Sequence, residues 1–321
     1  QRQTFDKAQI SRMADSETEA VAALCPTSQD FEQADVYDKN AHRHVNTLAE
    51  ILETFQKALT PCENDQQQVI DVGCGPGGFT RRYLLPSCLP CRRLVAVDKS
   101  PAMLRFAAEK NPHPKLHYLP LDIAQDVDSF VDREGQFQRL YSFLTLHWVR
   151  DQRRAMRNIN KLMAPGGDCI LLFKTSSHFF SLFTALIKSP RWMKYSQVLE
   201  DLIPETAYVS DIGALRMYAK DLVSSTSLNS LSCEVFLPPK ELSWSTETLT
   251  ESFLSFNPLY PLLNDAEREE LKEYIKNFTA TMCIENFNQR PSNRLLILIH
   301  ACKPLSAGNV VTAVATVKPN E

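Results

Sequence analysis

The chain has 321 residues, of which 44% are apolar and 23% charged, a balance that predicts a globular protein with a substantial core and excludes a disordered chain. Its formal net charge is -3, and its basic residues are scattered among acidic ones. This charge pattern argues against nucleic acid or an anionic membrane as partner and favours a small-molecule substrate. The nine cysteines are irregularly spaced, as in a reducing compartment, and the longest apolar runs are too short to span a bilayer, so we expect a soluble cytoplasmic protein.

The N-terminal region divides at about residue 34. Residues 1–33 are polar and show no clear periodicity, so we expect a disordered extension. A helical pattern follows, in which Tyr37, Asn40, Ala41 and His44 recur at the spacing of one helical face. The sequence therefore predicts an N-terminal helix ahead of the first strand.

Seven short runs rich in β-branched or apolar residues follow, and helical patterns separate most of them. The runs are QVIDVG (68–73), RLVAVD (93–98), LHYLPLD (116–122), FQRLYSFL (137–144), DCILLFK (168–174), SCEVFLP (232–238) and RLLILIHA (294–301). Alternation of strands and helices is typical of a parallel, doubly wound α/β sheet. We therefore predict that fold class over residues 34–303.

An insertion separates the fifth and sixth strands. It covers about residues 176–225, is rich in aromatic side chains and has helical spacing, so we expect a helical lid over the sheet. Further helical stretches lie around 246–256 and 264–280, before the last strand. The tail over 304–321 is expected to be flexible.

The stretch VIDVGCGPGGFT (69–80) joins the first strand to the first helix of the sheet. Gly73, Gly75 and Gly78 match the pattern G-x-G-x-x-G, which lets a backbone pass close to a bound ligand because a Cβ atom would collide with it. Asp71 precedes the glycines, where its carboxylate can receive an ammonium group. Asp98 ends the second strand, where it can accept hydrogen bonds from both hydroxyls of a ribose.

These features fit either a nicotinamide dinucleotide or S-adenosylmethionine. A pyrophosphate would gain nothing from Asp71, because like charges repel, whereas the amino group and sulfonium of S-adenosylmethionine do gain from it. At the end of the third strand, Asp122 can accept from an adenine amino group and Ile123 can cover one face of the ring. A Gly-Gly turn, residues 166–167, directly precedes the fifth strand. The cofactor favoured by this combination is S-adenosylmethionine.

Cys88 and Cys91 have the C-x-x-C spacing of zinc sites and redox centres. The sequence offers no second C-x-x-C and no paired histidines near them, and the pair falls in a loop leading into a strand. We therefore expect incidental surface cysteines and no metal site.

These motifs, in this order, resemble the class I S-adenosylmethionine-dependent methyltransferases. The matching stretches are DVGCGPGG, VAVDKSPAML and LDI. The resemblance implies a seven-stranded Rossmann-like methyltransferase sheet with S-adenosylmethionine as cofactor. It also implies cofactor contacts from residues within or next to the motifs, and these are Cys74, Lys99, Met103 and Phe143.

Three further stretches look like the juvenile hormone acid methyltransferases of arthropods. They are ADVYDKN (34–40), the run from YSFLTLHWVRDQ to the fifth strand (141–173) and SFNPLYP (255–261). The resemblance implies methyl transfer to the carboxylate of a farnesoid acid, either farnesoic acid or juvenile hormone acid. The product implied is a neutral methyl ester.

A carboxylic acid has a pKa of about 4, so the substrate is already a nucleophile at neutral pH and needs no general base. The enzyme has to orient the carboxylate with hydrogen-bond donors. Trp148, whose indole N–H can only donate, is the first candidate, and His147 is either a donor or a packing residue. Tyr37 and His44 lie on the N-terminal helix, which in the family covers the cofactor and carries a glutamine that helps to hold the substrate carboxylate.

Counting from Tyr37 puts His44 at the position of that glutamine, and a shift of one residue would put Arg43 or Val45 there. We expect that His44 substitutes for the glutamine, so that substrate binding tightens as pH falls through about 6.5. The apolar part of the site is expected from the lid and from the segment FNPLYP. The candidates are Phe179, Phe180, Phe183, Leu186, Trp192, Met193, Phe256 and Tyr260, and each lid residue fits a core position at least as well.

Other functions remain compatible with these residues. A methyltransferase acting on another small apolar carboxylate would keep the cofactor motifs and change only the lid. A catalytically inactive cofactor-binding protein is the second alternative, supported by the absence of the family's glutamine. A nicotinamide oxidoreductase is disfavoured, since LHWV and the Gly-Gly turn have no role there, and a nucleic-acid methyltransferase is disfavoured by the lack of a basic patch.

Overall fold

A central sheet organises the computed structural model, which describes residues 28–59, 65–238, 246–255, 257–284 and 295–305. Its strands are β1 (Gln68–Val72), β2 (Arg93–Asp98), β3 (Leu116–Pro120), β4 (Phe137–Phe143), β5 (Met163–Lys174), β6 (Asn229–Phe236) and β7 (Leu296–Cys302). Within the described residues these seven strands form one sheet in the order β3-β2-β1-β4-β5-β7-β6. The first five run parallel, and β7 pairs antiparallel with both β5 and β6. The predicted doubly wound, seven-stranded α/β sheet is confirmed.

Helices connect the strands and cover the sheet. They are α1 (Ser28–Gln56), α2 (Leu85–Cys88), α3 (Pro101–Lys110), α4 (Asp128–Glu134), α5 (Gln152–Leu162), α6 (His178–Lys188), α7 (Ser196–Glu200), α8 (Ile212–Ser224), α9 (Thr246–Ser255) and α10 (Asp265–Ile284). Short turns of π- or 3₁₀-helix occupy Thr80–Leu84, Leu146–Trp148, Met193–Tyr195, Glu205–Tyr208 and Tyr260–Leu262. Among the described residues, no helix is both long enough and apolar enough to cross a bilayer.

Two hydrophobic clusters cover the two faces of the sheet. Ile70 and Val72 of β1 belong to one cluster, with side chains of α4, α5 and α8, while Val69 belongs to the other, with Leu48 and Leu52 of α1. Successive residues of a strand point to opposite faces, so a parallel strand covered on both sides is apolar throughout. This burial explains why β1 is apolar apart from Gln68 at its start and Asp71.

The strand order reverses between β1 and β4, since β1 lies beside both β2 and β4. In open α/β sheets, ligands bind in the crevice at the carboxyl ends of the strands where this reversal occurs. The glycine-rich stretch follows β1 and therefore lies at this crevice.

The lid forms a third hydrophobic cluster away from the sheet. Phe180, Phe183 and Leu186 of α6 are buried there with Trp192, against side chains of α9 and α10. These four predicted lid residues are therefore core residues, whereas Met193 is exposed and Phe179 is partly buried. The lid is built from the first half of the insertion and the two helices that follow β6.

The second half of the insertion belongs to the sheet. Leu215, Ala219 and Leu222 of α8 are fully buried in the cluster that contains β1, β4 and β5. Their spacing puts them on one helical face, which packs on the sheet as the connection to β6. The expected lid range of 176–225 is therefore too long at its C-terminal end.

The expected Gly-Gly turn before β5 lies inside that strand. Phe137 of β4 pairs with Met163 of β5, but Arg139 pairs with Asp168, so β5 carries several extra residues between these partners. Gly166 has a φ of 76° within this irregular stretch. The Gly-Gly pair therefore forms a bulge in a longer strand.

The N-terminal boundary and the C-x-x-C pair also differ from expectation. Helix α1 begins at Ser28, so the backbone of residues 28–33, which were expected to be disordered, is helical. Cys88 and Cys91 are not joined in a disulfide, and both are buried in the cluster that covers β1, so the prediction of surface cysteines is wrong. Residues 1–27 and 306–321 lie outside the described part of the chain.

Candidate functional site

The glycine-rich loop after β1 is held against β2. The backbone N–H groups of Gly73 and Cys74 both donate to the carbonyl oxygen of Val97, at 2.7 and 3.0 Å. Gly73, Gly75 and Gly77 have φ values of 82°, 55° and 77°, a region that side chains with a Cβ atom rarely adopt. The loop therefore turns sharply at the carboxyl end of β1.

Two of these glycines make room for other side chains of the protein. A Cβ atom on Gly73 would lie 2.0 Å from Oγ1 of Thr145, and one on Gly77 would lie 2.6 Å from the hydroxyl of Tyr118. The sequence-based explanation, that a Cβ atom would collide with a ligand, is therefore incomplete, because Thr145 and Tyr118 already occupy that space. The third glycine of the predicted pattern, Gly78, makes room for Arg82 and Asp38.

The carboxyl group of Asp71 is buried beneath the loop. It accepts a hydrogen bond of 2.6 Å from the hydroxyl of Thr80, in the π-helical turn that follows the loop. Burial raises the pKa of Asp71 to about 7, the hydrogen bond from Thr80 lowers it, and the nearby Asp98 raises it. Among the described residues, the charged group that acts on the pKa of this carboxyl is the acidic Asp98, so the carboxyl group is suited to a cationic ligand.

Asp98 joins the loop to the start of α3. Its two carboxylate oxygens accept hydrogen bonds from the backbone N–H groups of Gly75, at 3.0 Å, and Ser100, at 2.9 Å. Burial raises the pKa of Asp98, while these two hydrogen bonds lower it. A carboxylate has about four acceptor sites, so Asp98 keeps capacity for the hydroxyl groups of a ligand.

A cavity of about 470 Å³ opens beside Asp98, within the usual size range of small-molecule sites. It brings together eight of the predicted site residues, which are Gly73, Gly75, Asp98, Lys99, Met103, Asp122, Ile123 and Trp148. The sequence analysis missed other lining residues, including Thr145, Val149, Arg150, Asp151, Asp201, Leu202 and Pro258. In this lining, Asp98 ends β2 and Asp122 follows β3, while Asp201, Leu202 and Pro258 come from the lid.

A smaller cavity of about 80 Å³ lies on the other side of the loop. Its lining includes the predicted residues Asp71, Gly73, Cys74 and Phe143, together with the unpredicted residues Asp38, Thr80 and Arg82. Gly73 and Leu144 line both cavities. The two cavities therefore adjoin at the carboxyl ends of β1 and β4, and together they contact every predicted cofactor-binding residue.

Leu144 has an unusual backbone conformation at this junction. Its φ is 55°, in the left-handed region, although it is not a glycine, and its N–H donates to the carbonyl oxygen of Leu172 at 2.7 Å. Such conformations cost of the order of 1–3 kcal/mol and cluster at functional sites. The sequence carries no signal for this feature, because leucine is an ordinary strand residue.

His147 and Trp148 differ in their position relative to the cavities. Trp148 lines the larger cavity and makes edge-on contacts with Phe179 and Phe180 of the lid, with ring centres 5.4 and 5.7 Å apart. His147 is buried, packs against Trp148 and Phe180, and is not among the described residues that line either cavity. The geometry thus favours a packing role for His147 over a contact with substrate.

Several candidate residues fall outside what the structure describes. The backbone of α1 carries both Tyr37 and His44, but their side chains, and all of Phe256, lie outside the described residues. Their roles stay predictions. Tyr260, the other candidate in this segment, is partly buried within the lid cluster.

One ion pair connects the site to the lid. Nη1 of Arg150, just after Trp148, donates to Oδ1 of Asp201 at 2.6 Å, and Nε2 of Gln197 donates to the same oxygen at 2.9 Å. Both charged residues line the larger cavity. Among the described residues, no group of three or more His, Cys, Asp or Glu side chains is arranged to hold a metal ion.

Comparison with known proteins assigns a class to this site. Residues 70–171, from β1 through β5, match a family described as "Methyltransferase domain". The chain is 34% identical over 138 residues to the juvenile hormone acid O-methyltransferase of Bombyx mori, covering 42% of this chain and 48% of that protein. The chain resembles S-adenosylmethionine-dependent methyltransferases of this family.

Two more relatives support the resemblance to methyltransferases. The juvenile hormone acid O-methyltransferase of Drosophila melanogaster is 29% identical over 181 residues, which cover 55% of this chain and 60% of that protein. The malonyl-[acyl-carrier protein] O-methyltransferase 1 of Ilyobacter polytropus is 28% identical over 172 residues, covering 53% and 60%. The chain thus spans from about half to three fifths of the length of these methyltransferases.

S-adenosylmethionine is the cofactor of this class of methyltransferase, and the two cavities fit it. Asp98, Asp122 and Ile123, which are predicted to contact the adenosine half, all line the larger cavity. Asp71, which is predicted to bind the ammonium group of the methionine half, lines the smaller cavity, and burial raises its pKa.

Proposed function

We propose that the chain transfers the methyl group of S-adenosylmethionine to the carboxylate of a farnesoid acid, farnesoic acid or juvenile hormone acid, and so forms a methyl ester. The supporting observation is that Trp148 lines the same cavity as the predicted adenosine-binding residues and also contacts the aromatic side chains of the lid. The proposal also draws on the two insect relatives named as juvenile hormone acid O-methyltransferases.

When bound, S-adenosylmethionine supplies an electrophilic methyl group attached to a sulfonium. The residues that would hold it are Asp71, Asp98 and Asp122, with Met103 and Ile123 providing apolar surface. Their task is to fix its orientation, because most of the rate gain in such a displacement comes from holding the reacting atoms in line at about 3–3.5 Å.

The acid is deprotonated at neutral pH, so the protein has no proton to remove from it. Its contribution is to desolvate the carboxylate and aim one oxygen. The indole N–H of Trp148 can do this without competing for a proton, since it only donates. Loss of one hydrogen bond to a charged group typically costs about 1.5–3 kcal/mol.

An apolar chain has a suitable route past Trp148. Val149, Leu202 and Pro258 line this side of the cavity, and Phe179 contacts Trp148 from the lid. Burial of a methylene group contributes roughly 0.8 kcal/mol, so a farnesyl chain gains more from this surface than its head group gains from one donor. The proposal therefore expects a preference for long apolar acids.

The test measures transfer of labelled methyl from S-adenosylmethionine to farnesoic acid, juvenile hormone acid and straight-chain fatty acids. We expect turnover of the isoprenoid acids, and a fall of about 10-fold or more in kcat/KM for Trp148→Phe, which keeps the ring but removes the donor. The matched control is Trp192→Phe, a buried indole in the lid core. Cofactor binding without turnover of any isoprenoid acid would refute the proposal.

The same assay separates the alternatives. Methylation of fatty acids alone would support a methyltransferase for another small apolar carboxylate. Cofactor binding with no methylation of any acid would support an inactive cofactor-binding protein. If the protein binds the cofactor but methylates no acid, His44→Gln is the first variant to test for recovery of activity.

A further inference from the structure

The smaller cavity carries charges of both signs. Among its described lining residues the charged ones are Asp38 from α1, Asp71 from β1 and Arg82 from the π-helical turn. The sequence analysis assigned only Asp71 to the cofactor. Asp38 and Arg82 have no role in the proposed methyl transfer.

Arg82 lies over the glycine-rich loop. Its Nε donates to the carbonyl oxygen of Gly78 at 3.2 Å. A Cβ atom on Gly78 would lie 2.6 Å from Nη2 of Arg82 and 2.9 Å from Oδ1 of Asp38. The third glycine of the predicted pattern therefore leaves room for a guanidinium group and a carboxyl group at the mouth of the cavity.

The methionine half of S-adenosylmethionine carries an ammonium group and a carboxylate. Asp71 supplies the negative charge for the ammonium group but would repel the carboxylate. A carboxylate in this cavity requires a cation or backbone donors, and guanidinium is the side chain that matches carboxylate geometry best. Among the described lining residues of the smaller cavity, Arg82 is the only basic one. Lys99, the basic residue beside Asp98, lines the other cavity.

We propose that Arg82 binds the α-carboxylate of S-adenosylmethionine in the smaller cavity, with Asp38 holding the guanidinium group from the N-terminal helix. This inference rests on the proposed function, because it requires the same cofactor in the same site. It adds a residue that no methyltransferase motif in the sequence indicates, since Arg82 lies beyond the glycine pattern. It also gives α1 a contact with the cofactor site.

The test compares two ligands on three proteins. S-adenosylhomocysteine contains the amino-acid half of the cofactor, whereas 5′-methylthioadenosine lacks it. Calorimetry measures the binding of each ligand. The proteins are wild type, Arg82→Gln and the control Arg81→Gln. Arg81 is the neighbouring arginine, whose Nε donates to the carbonyl oxygen of Pro112 and which does not line the cavity.

For Arg82→Gln we expect the dissociation constant of S-adenosylhomocysteine to rise about tenfold, with that of 5′-methylthioadenosine unchanged. Arg81→Gln should leave both constants unchanged. A fourth protein, Arg82→Lys, should recover part of the loss, since it keeps the charge without the bidentate geometry. The effect of Arg82→Gln should shrink at high salt, because Arg82 is solvent-exposed.

Other outcomes would overturn the inference. Equal weakening of both ligands by Arg82→Gln would indicate a structural role in the loop, and no weakening of either would exclude a contact with the carboxylate. If the wild-type protein binds 5′-methylthioadenosine and S-adenosylhomocysteine equally well, the amino-acid half makes no net contact and the inference fails. If it binds neither S-adenosylhomocysteine nor S-adenosylmethionine, the proposed function fails with it.

Discussion

The buried carboxyl group of Asp71 links the affinity of the site to pH. Burial raises its pKa to about 7, so close to half of the ligand-free molecules carry a proton on it at neutral pH. A cationic ligand binds the ionised carboxylate, so binding at lower pH has to release that proton. The neighbouring Asp98 also raises the pKa of Asp71, and the charged residues Asp38 and Arg82 line the same cavity.

We expect the affinity for S-adenosylmethionine to rise about tenfold between pH 6 and pH 8, because the ionised fraction of Asp71 rises by about that factor across a pKa of about 7. Calorimetry in buffers of different ionisation enthalpy should show proton release near pH 6.5. Asp71→Asn should bind more weakly at pH 8 and with little pH dependence. A wild-type affinity that is constant over this range would contradict the assignment.

The stability of the ligand-free protein should change in the opposite direction. The folded pKa of Asp71 is raised above its unfolded value, so the folded state binds the proton more tightly between about pH 4 and pH 7. Stability is therefore lost as pH rises through that range. Asp71→Asn should raise Tm at pH 8 but not at pH 4, which distinguishes this effect from simple damage to the site.

The connection between β4 and α5 is the element that joins the sheet to the lid. It carries Trp148, which contacts the lid aromatics, and Arg150, which pairs with Asp201 after α7. The charged side chains are 55% and 54% exposed, so the pair contributes only about 0.2–1 kcal/mol. A free-energy change of that size is enough to alter the rate at which the lid opens without altering the fold.

We expect Arg150→Ala to speed the dissociation of S-adenosylhomocysteine by about 2–5-fold, because the pair closes one wall of the larger cavity. Stopped-flow displacement measures that rate. The double variant Arg150→Asp/Asp201→Arg should restore it, and Arg153→Ala, which removes a longer exposed pair with Asp221 at 3.9 Å, is the control. An unchanged rate in Arg150→Ala would show that this ion pair does not restrain the lid.

At the scale of the whole molecule, the described residues have three hydrophobic clusters. Two cover the faces of the sheet, and the third holds the lid together through Phe183 of α6 and Phe253 of α9, which are both fully buried. Elements with a separate core can open without unfolding the sheet. The cofactor cavities belong mainly to the sheet, while Leu202 and Pro258 bring the lid to the larger cavity.

We expect Phe253→Ala to destabilise the lid by about 3–5 kcal/mol and to speed hydrogen exchange in α6, α9 and α10 more than in β1–β5. Methylation should fall more than affinity for S-adenosylhomocysteine. Phe137→Ala, which opens a comparable hole in the sheet core, is the matched control and should speed exchange in the strands. Uniform acceleration in Phe253→Ala would show that lid and sheet unfold as one unit.

The sequence by itself determined the sheet and the position of the site. Each predicted strand overlaps an observed one. The buried parallel strands β1, β2 and β4 are mostly apolar runs, which Asp71 interrupts and Asp98 ends, and Asp122 follows β3. Where such a carboxylate follows a strand, the fold places it at the crevice. The predicted cofactor-binding residues came partly from this local pattern and partly from the resemblance to methyltransferases, and all of them line the two cavities.

Only the tertiary structure decided which side chains face the cavities and which fill the core. In sequence, Phe180, Phe183 and Trp192 fit either a ligand-binding surface or a core, and the structure buries them against helices far along the chain. Cys88 and Cys91 are also core residues. Arg82, Arg150 and Asp201 carry no motif and reach the site from separate elements. The hydrophobic periodicity of a sequence indicates whether a segment is a helix or a strand. Burial of a side chain depends instead on contacts between elements that are distant in sequence.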